Sequence, residues 1–362
     1  MCVLTEHHGE GLEKKMNKTD FFDVLPNAYT DWCEAHNVPS YTLSQVRSWV
    51  IDRGVLDISS MTNISNANRD RLAQQLTIHP FKTIQSFPAS DGSATKYVLE
   101  LPNGECIEAV AINEKKYETL CISCQVGCPV DCKFCLTGVS GFKRNLSVSQ
   151  IISQLAVINA KGHRITHVVF MGMGEPLLNL ASVLPAIEWL QQDWGFNLSK
   201  RHITVSTSGY LAGIQTLIRQ NISLNLAFSV GCADPIIRKT IMPIEERNPI
   251  VDVAQALSTY GKQHNRKLTL EYTLLRGVND SRDCAEQLGH LAHFLQAKVN
   301  LINLNPHPSI PFEPVSTQTL MHFKQQLIRH RVPTTVRYSK GQDVVAACGQ
   351  LGESNLRPSG PS

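Results

Sequence analysis

Apolar side chains recur at helical spacing in the first 80 residues. They do so in TLSQVRSWVIDRG, which begins at Thr42 as a candidate N-cap, and again in SNANRDRLAQQL. The two patterns predict a small helical domain over residues 1–80. The polar ends, residues 1–20 and about 352–362, are expected to fray.

Strand-like patterns follow this domain. TKYVLEL (95–101) and ECIEAVAI (105–112) lie on either side of Pro102-Asn103-Gly104. Asn-Gly between two such segments is a strong hairpin signal. We therefore predict a β-ribbon linker over residues 81–117.

From residue 118 onward, short β-branched strands alternate with helical stretches of about ten to fifteen residues. The predicted strands are 118–125, 166–172, 202–207, 224–230, 267–274 and 298–304. The predicted helices are 147–160, 181–193, 210–219, 250–264 and 283–296. A seventh strand-like segment, TTVRYSK (334–340), follows a helix around 317–330 and leads into a loop that carries Cys348.

This alternation predicts an α/β fold whose main domain is a partial (β/α)6 barrel over residues 118–350, followed by a flexible tail at 351–362. In such folds ligands bind at the carboxyl ends of the strands, so the loops after each strand are where functional residues are expected.

Composition limits the class of protein. The chain has 362 residues, of which 42% are hydrophobic and 18% are charged, and no apolar run approaches the roughly 20 residues that span a bilayer. The N-terminal segment lacks the pattern of a secretory signal, so we expect a cytoplasmic protein without a membrane partner. The net charge of +3 permits an RNA partner but does not predict one.

Cysteines are numerous and clustered. Eleven cysteines are too many, and odd in number, for a disulfide framework in a reducing compartment, which favours metal binding or catalysis. Five of them fall within fifteen residues, namely Cys121, Cys124, Cys128, Cys132 and Cys135.

Three cysteines of this cluster have the spacing Cys128-x3-Cys132-x2-Cys135 on one loop. Three thiolates leave one iron of a 4Fe-4S cluster open, and an open iron can chelate the amino and carboxylate groups of S-adenosylmethionine. The alternative is a zinc loop with Cys124 or Cys121 as the fourth ligand. The spacing, with the aromatic Phe134 before the last cysteine, resembles the radical S-adenosylmethionine superfamily.

Longer stretches resemble one family more closely. CQVGCPVDCKFCLTG, GFKRNLS, MGMGEPLLNL, GFNLSKRHITVSTSG, EYTLLRGVND, NLNPHP and DVVAACGQL are similar to the RlmN/Cfr family of rRNA adenine methyltransferases. The resemblance covers about residues 95–352, and PSYTLSQVRSWV near the N-terminus is also similar. It implies a radical S-adenosylmethionine enzyme that methylates carbon 2 of an adenine in 23S rRNA, with tRNA as a further substrate and carbon 8 as an open alternative.

The same resemblance implies which residues contact S-adenosylmethionine. They are Gly174, Glu175, Ser206, Ser229, Val230, Gly231 and Asn305. This chain has Gly231 where the family commonly has histidine, so a contact from that position uses the backbone alone. It also has Cys124 where serine is frequent, and we expect a small buried thiol there.

Three catalytic residues are implied as well. Cys348 is expected to carry a methyl group as an S-methylcysteine intermediate, whose carbon becomes a radical and adds to the base. Glu108 is expected to accept the proton that the base loses. Cys121 is expected to release Cys348 through a transient disulfide.

The resemblance further implies an RNA partner and an electron donor such as flavodoxin, and nothing in the sequence requires more than a monomer. A positive rim is expected around the barrel mouth from Lys143, Arg144, Lys200, Arg201, Arg238, Lys239 and Lys340. The N-terminal helical domain is expected to help position the RNA. Two alternatives remain, a radical enzyme with another acceptor and a non-catalytic cluster or zinc protein that binds RNA.

Overall fold

The helical pattern near the N-terminus forms three short helices and two short strands in the computed structural model, which describes residues 18–352. These elements are β1 (Thr19–Asp20), α1 (Tyr29–Ala35), α2 (Thr42–Arg47), α3 (Asn66–Gln75) and β2 (Leu76–Thr77). Strands β1 and β2 pair in parallel, so the two ends of the helical unit meet.

The N-cap prediction for Thr42 is wrong. Tyr41 occupies the N-cap position of α2, and Thr42 is fully buried as the first helical residue. Its backbone N–H already bonds to Pro39 O at 2.8 Å, because the turn begins three residues earlier than the pattern suggested. Ser65, in contrast, caps α3 through its hydroxyl, which accepts the N–H of Asn68.

The predicted hairpin across Asn103-Gly104 is present, within three antiparallel strands. These are β3 (Thr83–Pro88), β4 (Ala94–Glu100) and β5 (Cys106–Asn113). Strand β3 was not predicted. Strand β5 pairs antiparallel with the first barrel strand, so this segment extends the barrel sheet as well as connecting the two parts of the chain.

The rest of the described chain alternates strands and helices as the pattern predicts. In chain order the elements are β6 (Glu118–Cys121), β7 (Gln125–Gly127), α4 (Leu136–Val139), β8 (Phe142–Asn145), α5 (Val148–Ala160), β9 (Ile165–Phe170), α6 (Leu180–Gln191), β10 (Ile203–Thr207), α7 (Leu211–Arg219), β11 (Asn225–Ser229), α8 (Pro235–Ile241), α9 (Ile250–His264), β12 (Thr269–Leu274), α10 (Arg282–Phe294), β13 (Lys298–Asn303), α11 (Thr317–Arg329) and β14 (Thr334–Arg337).

Strands β7 and β8 pair antiparallel in a separate two-stranded sheet. The other ten strands from β3 to β14 form one open sheet with the order β14-β13-β12-β11-β10-β9-β6-β5-β4-β3. The pairs from β6 to β14 are all parallel, whereas β5, β4 and β3 are antiparallel. Strands β14 and β3 are the two edges, so the barrel is not closed. The predicted α/β class with a partial barrel is confirmed, with β14 as a seventh parallel strand.

The N-terminal helical unit is packed on the barrel. The indole of Trp189 in α6 lies 5.8 Å from the ring of Phe21 and 5.1 Å from that of Phe22, measured between centroids. Trp189 Nε1 also donates to Phe22 O at 2.9 Å, and Asp23 accepts the N–H of Ser149 at the start of α5. The two regions therefore share one apolar core.

The two predicted flexible ends lie mostly outside the described residues. At the C-terminal side Leu351 is buried and Gly352 is hydrogen-bonded, so the described chain is still packed at residue 352. Among the described helices none is both long and apolar enough to cross a membrane.

Candidate active site

The loops that follow β6 and β9 lie against each other at the carboxyl edge of the sheet. Ile122 N–H donates to Val169 O (3.0 Å), and Gly172 N–H donates to Ile122 O (3.1 Å). A Cβ on Gly172 would lie 2.6 Å from that carbonyl oxygen, so the close approach requires glycine. The contact places the cysteine-rich loop beside the Gly-Met-Gly-Glu segment after β9.

Three thiols of the cysteine-rich loop line one cavity that opens to solvent, which we call the cofactor cavity. They belong to Cys128, Cys132 and Cys135, and Phe134 lines the cavity beside them. Burial raises the pKa of the Cys132 thiol well above its usual value, and the neighbouring thiols of Cys135 and Cys128 raise it further. Three bare thiolates would repel one another here, whereas a cationic iron centre would neutralise them.

This set of donors fits an iron–sulfur cluster better than a zinc ion. Cys121 and Cys124, either of which a zinc loop would need as its fourth ligand, do not line the cofactor cavity. No three His, Cys, Asp or Glu side chains within residues 18–352 form a group that could hold a single metal ion. A cubane differs from a single ion because it presents a separate iron to each thiolate.

Five of the seven implied cofactor contacts line the same cavity, namely Gly174, Glu175, Ser206, Ser229 and Gly231. They follow or end three neighbouring strands, β9, β10 and β11, whose carboxyl ends share one edge of the sheet. The hydroxyl oxygens of Ser206 and Ser229 lie 3.2 Å apart, across the β10–β11 pair. Polar hydroxyls and a bare glycine backbone thus face the space beside the three thiols.

Glu175 is buried and already bound to the protein. Its Oε2 accepts hydrogen bonds from the backbone N–H and the hydroxyl of Ser208, both at 2.7 Å, and its Oε1 accepts from Leu177 N–H at 3.2 Å. Burial nevertheless raises the pKa of the Glu175 carboxyl, against the lowering effect of these bonds. The carboxylate is therefore oriented by Ser208, and its remaining lone pairs are what a ligand ammonium group would use.

Gly231 lines the cofactor cavity, whereas its neighbour Val230 does not. The Val230 side chain is fully buried and does not line the cavity, while its backbone O accepts from Arg238 Nε at 2.9 Å. Gly231 lines the cavity with φ +69°, and a Cβ added there would lie 2.3 Å from Met242 Sδ. Met242 also lines the cavity, so its thioether occupies space next to a residue that has no side chain.

Asn305 does not line the cofactor cavity. Its Nδ2 donates to the backbone O of Cys348 at 2.9 Å, and its Oδ1 accepts from Gln342 Nε2 at 2.7 Å. In this structure Asn305 holds the loop that carries Cys348.

That loop is also bound to the cluster loop. Leu136 N–H donates to Gly349 O at 2.8 Å, and the Thr137 hydroxyl donates to Leu351 O at 2.6 Å. As a result Cys348, which is exposed, lines the cofactor cavity although it lies more than 200 residues from the cluster cysteines.

Cys348 and Cys121 line a second, smaller cavity, which we call the thiol cavity. Cys121 ends β6 and is buried. Burial raises the pKa of the Cys121 thiol to about 12, with a further rise from Cys348 and an opposing effect from Arg337. The structure therefore brings together the two cysteines that the resemblance pairs.

Sequence reasoning missed two charged residues at this site, Arg337 and Glu271. Arg337 is the last residue of β14 and lines both cavities, and Glu271 lies in β12 and lines the cofactor cavity. Their positions in the sequence could have indicated them. Both are charged residues in predicted parallel barrel strands, and ligands bind at the carboxyl ends of such strands.

Glu108 is fully buried in β5 rather than solvated. Its Oε2 accepts the N–H of Gly352 at 3.1 Å, and its backbone O accepts from the Ser123 hydroxyl at 2.6 Å. It lines neither the cofactor cavity nor the thiol cavity. Its predicted role as proton acceptor stays a prediction.

The basic rim differs from expectation. Arg238 is fully buried, where it binds Glu245, so it is wrong as a rim residue. Three others form ion pairs with nearby carboxylates, namely Arg144 with Glu105, Lys239 with Glu246 and Lys340 with Glu114. Lys143, Lys200 and Arg201 are exposed.

The chain is similar to known proteins over most of its length. Residues 122–288 match the family model of the radical SAM superfamily, and residues 19–78 match that of the ribosomal RNA large subunit methyltransferase N-terminal domain. The chain is 37% identical to "Probable dual-specificity RNA methyltransferase RlmN 2" of Protochlamydia amoebophila, covering 92% of this chain and 94% of the relative. It is 36% identical to "Dual-specificity RNA methyltransferase RlmN" of Nitratiruptor, covering 88% and 94%.

A solved structure is also similar. The crystal structure of a radical SAM methyltransferase from Sphaerobacter thermophilus superimposes with a TM-score of 0.88 at 35% identity, covering 91% of this chain and 98% of that one.

Proposed function

This chain belongs to the RlmN family of radical S-adenosylmethionine RNA methyltransferases, and we propose that it methylates carbon 2 of an adenine in 23S rRNA and also acts on tRNA. One observation carries the mechanistic part of the proposal. Cys348 lines both the cavity of the three cluster thiols and the cavity of Cys121. Both relatives are named dual-specificity RNA methyltransferases, which supports two RNA substrates for this chain.

Membership of the radical S-adenosylmethionine superfamily implies S-adenosylmethionine and a 4Fe-4S cluster. Cys128, Cys132 and Cys135 would hold the cluster, and the residues after β9, β10 and β11 would hold S-adenosylmethionine. When bound, these groups supply an electron, a methyl group and radical chemistry. Phe134 and the buried walls of the cavity exclude water from that space.

Cys348 acts first in the proposed mechanism. Its thiolate takes a methyl group, which makes it a thioether, and that carbon later joins the adenine. Its loop is bound to the cluster loop through Gly349 and to β13 through Asn305, so the sulfur stays beside the cofactor cavity during both steps.

Release of the product needs the other two residues. The base carbon loses its hydrogen as a proton, for which Glu108 is the proposed acceptor, and the unpaired electron left by the radical addition would return to the 4Fe-4S cluster that the three cysteines would hold. The Cys121 thiolate attacks the Cys348 sulfur, so the S–S bond forms as the S–C bond breaks, and the carbon keeps the electron pair and takes a proton. Because Glu108 is buried and lines neither cavity in this structure, its role requires a local rearrangement that brings the base within reach of its carboxylate.

RNA would approach the mouth of the two cavities. The exposed Lys143, Lys200 and Arg201 are the basic residues we propose for phosphate contact, with the N-terminal helical unit as a second surface. The protein would work as a monomer in the cytoplasm with a flavodoxin-like electron donor.

The test is anaerobic reconstitution followed by incubation with S-adenosylmethionine, reductant and 23S rRNA or tRNA. Mass spectrometry scores 5'-deoxyadenosine and methylated adenine for the wild type, Cys348→Ala, Cys121→Ala and Cys106→Ala, the last as a control because Cys106 lines neither cavity. We expect 2-methyladenosine from the wild type and the control, none from Cys348→Ala, and a covalent protein–RNA adduct from Cys121→Ala.

Other outcomes identify the alternatives. Detection of 8-methyladenosine instead of 2-methyladenosine would identify carbon 8 as the methylated position. Cleavage of S-adenosylmethionine without methylation of either RNA would point to another acceptor. Product formation by Cys348→Ala would refute the cysteine mechanism.

A further inference from the structure

Four residues line both the cofactor cavity and the thiol cavity, namely Met171, Ile302, Arg337 and Cys348. They form the wall between the space for S-adenosylmethionine and the space that holds Cys121. Arg337 is the member of this wall with a permanent positive charge, since a guanidinium stays protonated in proteins. Its position next to Cys348 has no role in the mechanism described so far.

Arg337 is held in place from two sides. It ends β14, where its backbone is in register with Ile302 of β13, and its Nη1 lies 3.6 Å from Met171 Sδ. Glu271 of β12 is the nearby carboxylate: it is buried, its Oε1 accepts from Asn300 Nδ2 at 2.9 Å, and its Oε2 has no hydrogen-bond partner within the described part of the chain. Arg337 lowers the pKa of the Glu271 carboxyl, against the rise that burial causes.

The thiols need a positive charge at this place. Cys121 must be a thiolate to attack Cys348, yet its pKa is raised to about 12 by burial, and the charge of Cys348 raises it further. Arg337 is the cation that opposes both effects. The electrostatic interaction also acts on the arginine. The pKa of Arg337 is raised by four nearby acidic groups, those of Cys348, Glu271, Cys121 and Glu114, of which Cys348 has the largest effect.

The other charged groups around the thiol cavity do not replace this cation. Lys340 and Glu114 line it too, but Lys340 Nζ forms an ion pair with Glu114 at 2.8 Å and also donates to Asn113 O. Their charges largely cancel, whereas Arg337 faces two thiols and one carboxylate.

We propose that Arg337 is a positioning residue whose charge, at the wall between the two cavities, stabilises the thiolate of Cys121 at the step where its sulfur attacks Cys348. The proposal rests on the proposed function for the roles of the two thiols. When Cys348 takes a methyl group, its thiolate pair forms the new S–C bond, the sulfonium C–S bond breaks, and the product thioether is uncharged. Methylation thus removes the Cys348 charge that raises the pKa of Cys121, so Arg337 favours the Cys121 thiolate more strongly once Cys348 has reacted.

The experiment measures thiol reactivity, which does not depend on turnover. Full-length, cluster-loaded protein without S-adenosylmethionine is treated anaerobically with iodoacetamide from pH 6.5 to 10.5. Alkylation of unmethylated Cys348 and of Cys121 is followed by peptide mass spectrometry. The variants are Arg337→Met, Arg337→Lys and the control Arg276→Met, which removes an exposed arginine that pairs with Glu313.

We expect Arg337→Met to slow alkylation of Cys121 about tenfold or more at pH 7.5, because loss of a nearby positive charge raises the pKa of a thiol by about a unit or more. The rate for Cys121 should rise with pH in both proteins up to pH 10.5 without levelling off, because its pKa is about 12. Arg337→Lys should restore most of the rate, and Arg276→Met should match wild type.

A loss in Arg337→Met that Arg337→Lys does not restore would mean a displaced strand end rather than a lost charge, and it would overturn the proposal, as would a wild-type rate in Arg337→Met. If RNA methylation fails but the thiol profile follows expectation, the proposed function is wrong while the charge effect stands.

Discussion

Substitution of Asn305 tests whether this residue contacts S-adenosylmethionine or anchors the loop that carries Cys348. The family resemblance implies a contact with S-adenosylmethionine, whereas in the structure Asn305 lies outside the cofactor cavity and binds Cys348 O and Gln342 Nε2. The substitution Asn305→Ala removes both hydrogen bonds. Each is worth about 1 kcal/mol net, so the loop loses about 2 kcal/mol of anchoring, which corresponds to roughly 30-fold in the population of its ordered form.

The assay follows two quantities. The rate at which Cys348 becomes methylated is measured by mass spectrometry, and the affinity for S-adenosylmethionine is measured by titration calorimetry on the cluster-loaded protein. We expect Asn305→Ala to slow methylation of Cys348 by up to about 30-fold, with affinity nearly unchanged, because a less ordered loop presents the thiol less often.

Asn303 is a matched control in the strand just before. Its side chain also makes two hydrogen bonds of 2.9 Å, but both are to the backbone of Val315. Asn303→Ala should leave the methylation rate of Cys348 near wild type. If Asn305→Ala instead weakens binding of S-adenosylmethionine tenfold and leaves the loop protected from protease, Asn305 is a cofactor contact and the clamp explanation fails.

Three further predictions follow from the geometry. Gly231→Ala should weaken S-adenosylmethionine binding, because its Cβ would lie 2.3 Å from Met242 Sδ, and adding Met242→Ala should recover part of the affinity; no recovery in calorimetry would contradict this. Trp189→Ala should lower the free energy of unfolding, measured by urea titration, by about 3–5 kcal/mol, because Trp189 is fully buried against Phe22. A loss below about 1 kcal/mol would mean that the N-terminal unit is not part of the core. Disulfide exchange by Cys121, whose pKa is raised to about 12, should speed up with pH between 7 and 10, because the thiolate fraction grows as pH approaches the pKa; a flat profile would show an already ionised thiol.

The order of strands and helices in the barrel followed from local pattern. Each predicted strand from 118 onward is present with ends that differ by four residues or fewer, because buried parallel strands are short β-branched runs and the helices between them have one apolar face. Strand β3 was missed, since four of its six residues are exposed in succession and its pattern does not alternate. The N-cap of α2 was misjudged because the turn from Pro39 starts the helix earlier.

The sequence by itself determined the cysteine spacing, the glycines after β9 and the family. Each of these depends on short contiguous motifs, whose chemistry can be inferred without a tertiary structure. The tertiary structure alone decided which distant residues meet. Arg337 joins Cys348 and Cys121 between two cavities, Asn305 binds the Cys348 loop, and Arg238 is buried instead of facing RNA. Such contacts depend on strand register and loop packing across more than 200 residues, and no local pattern encodes those distances.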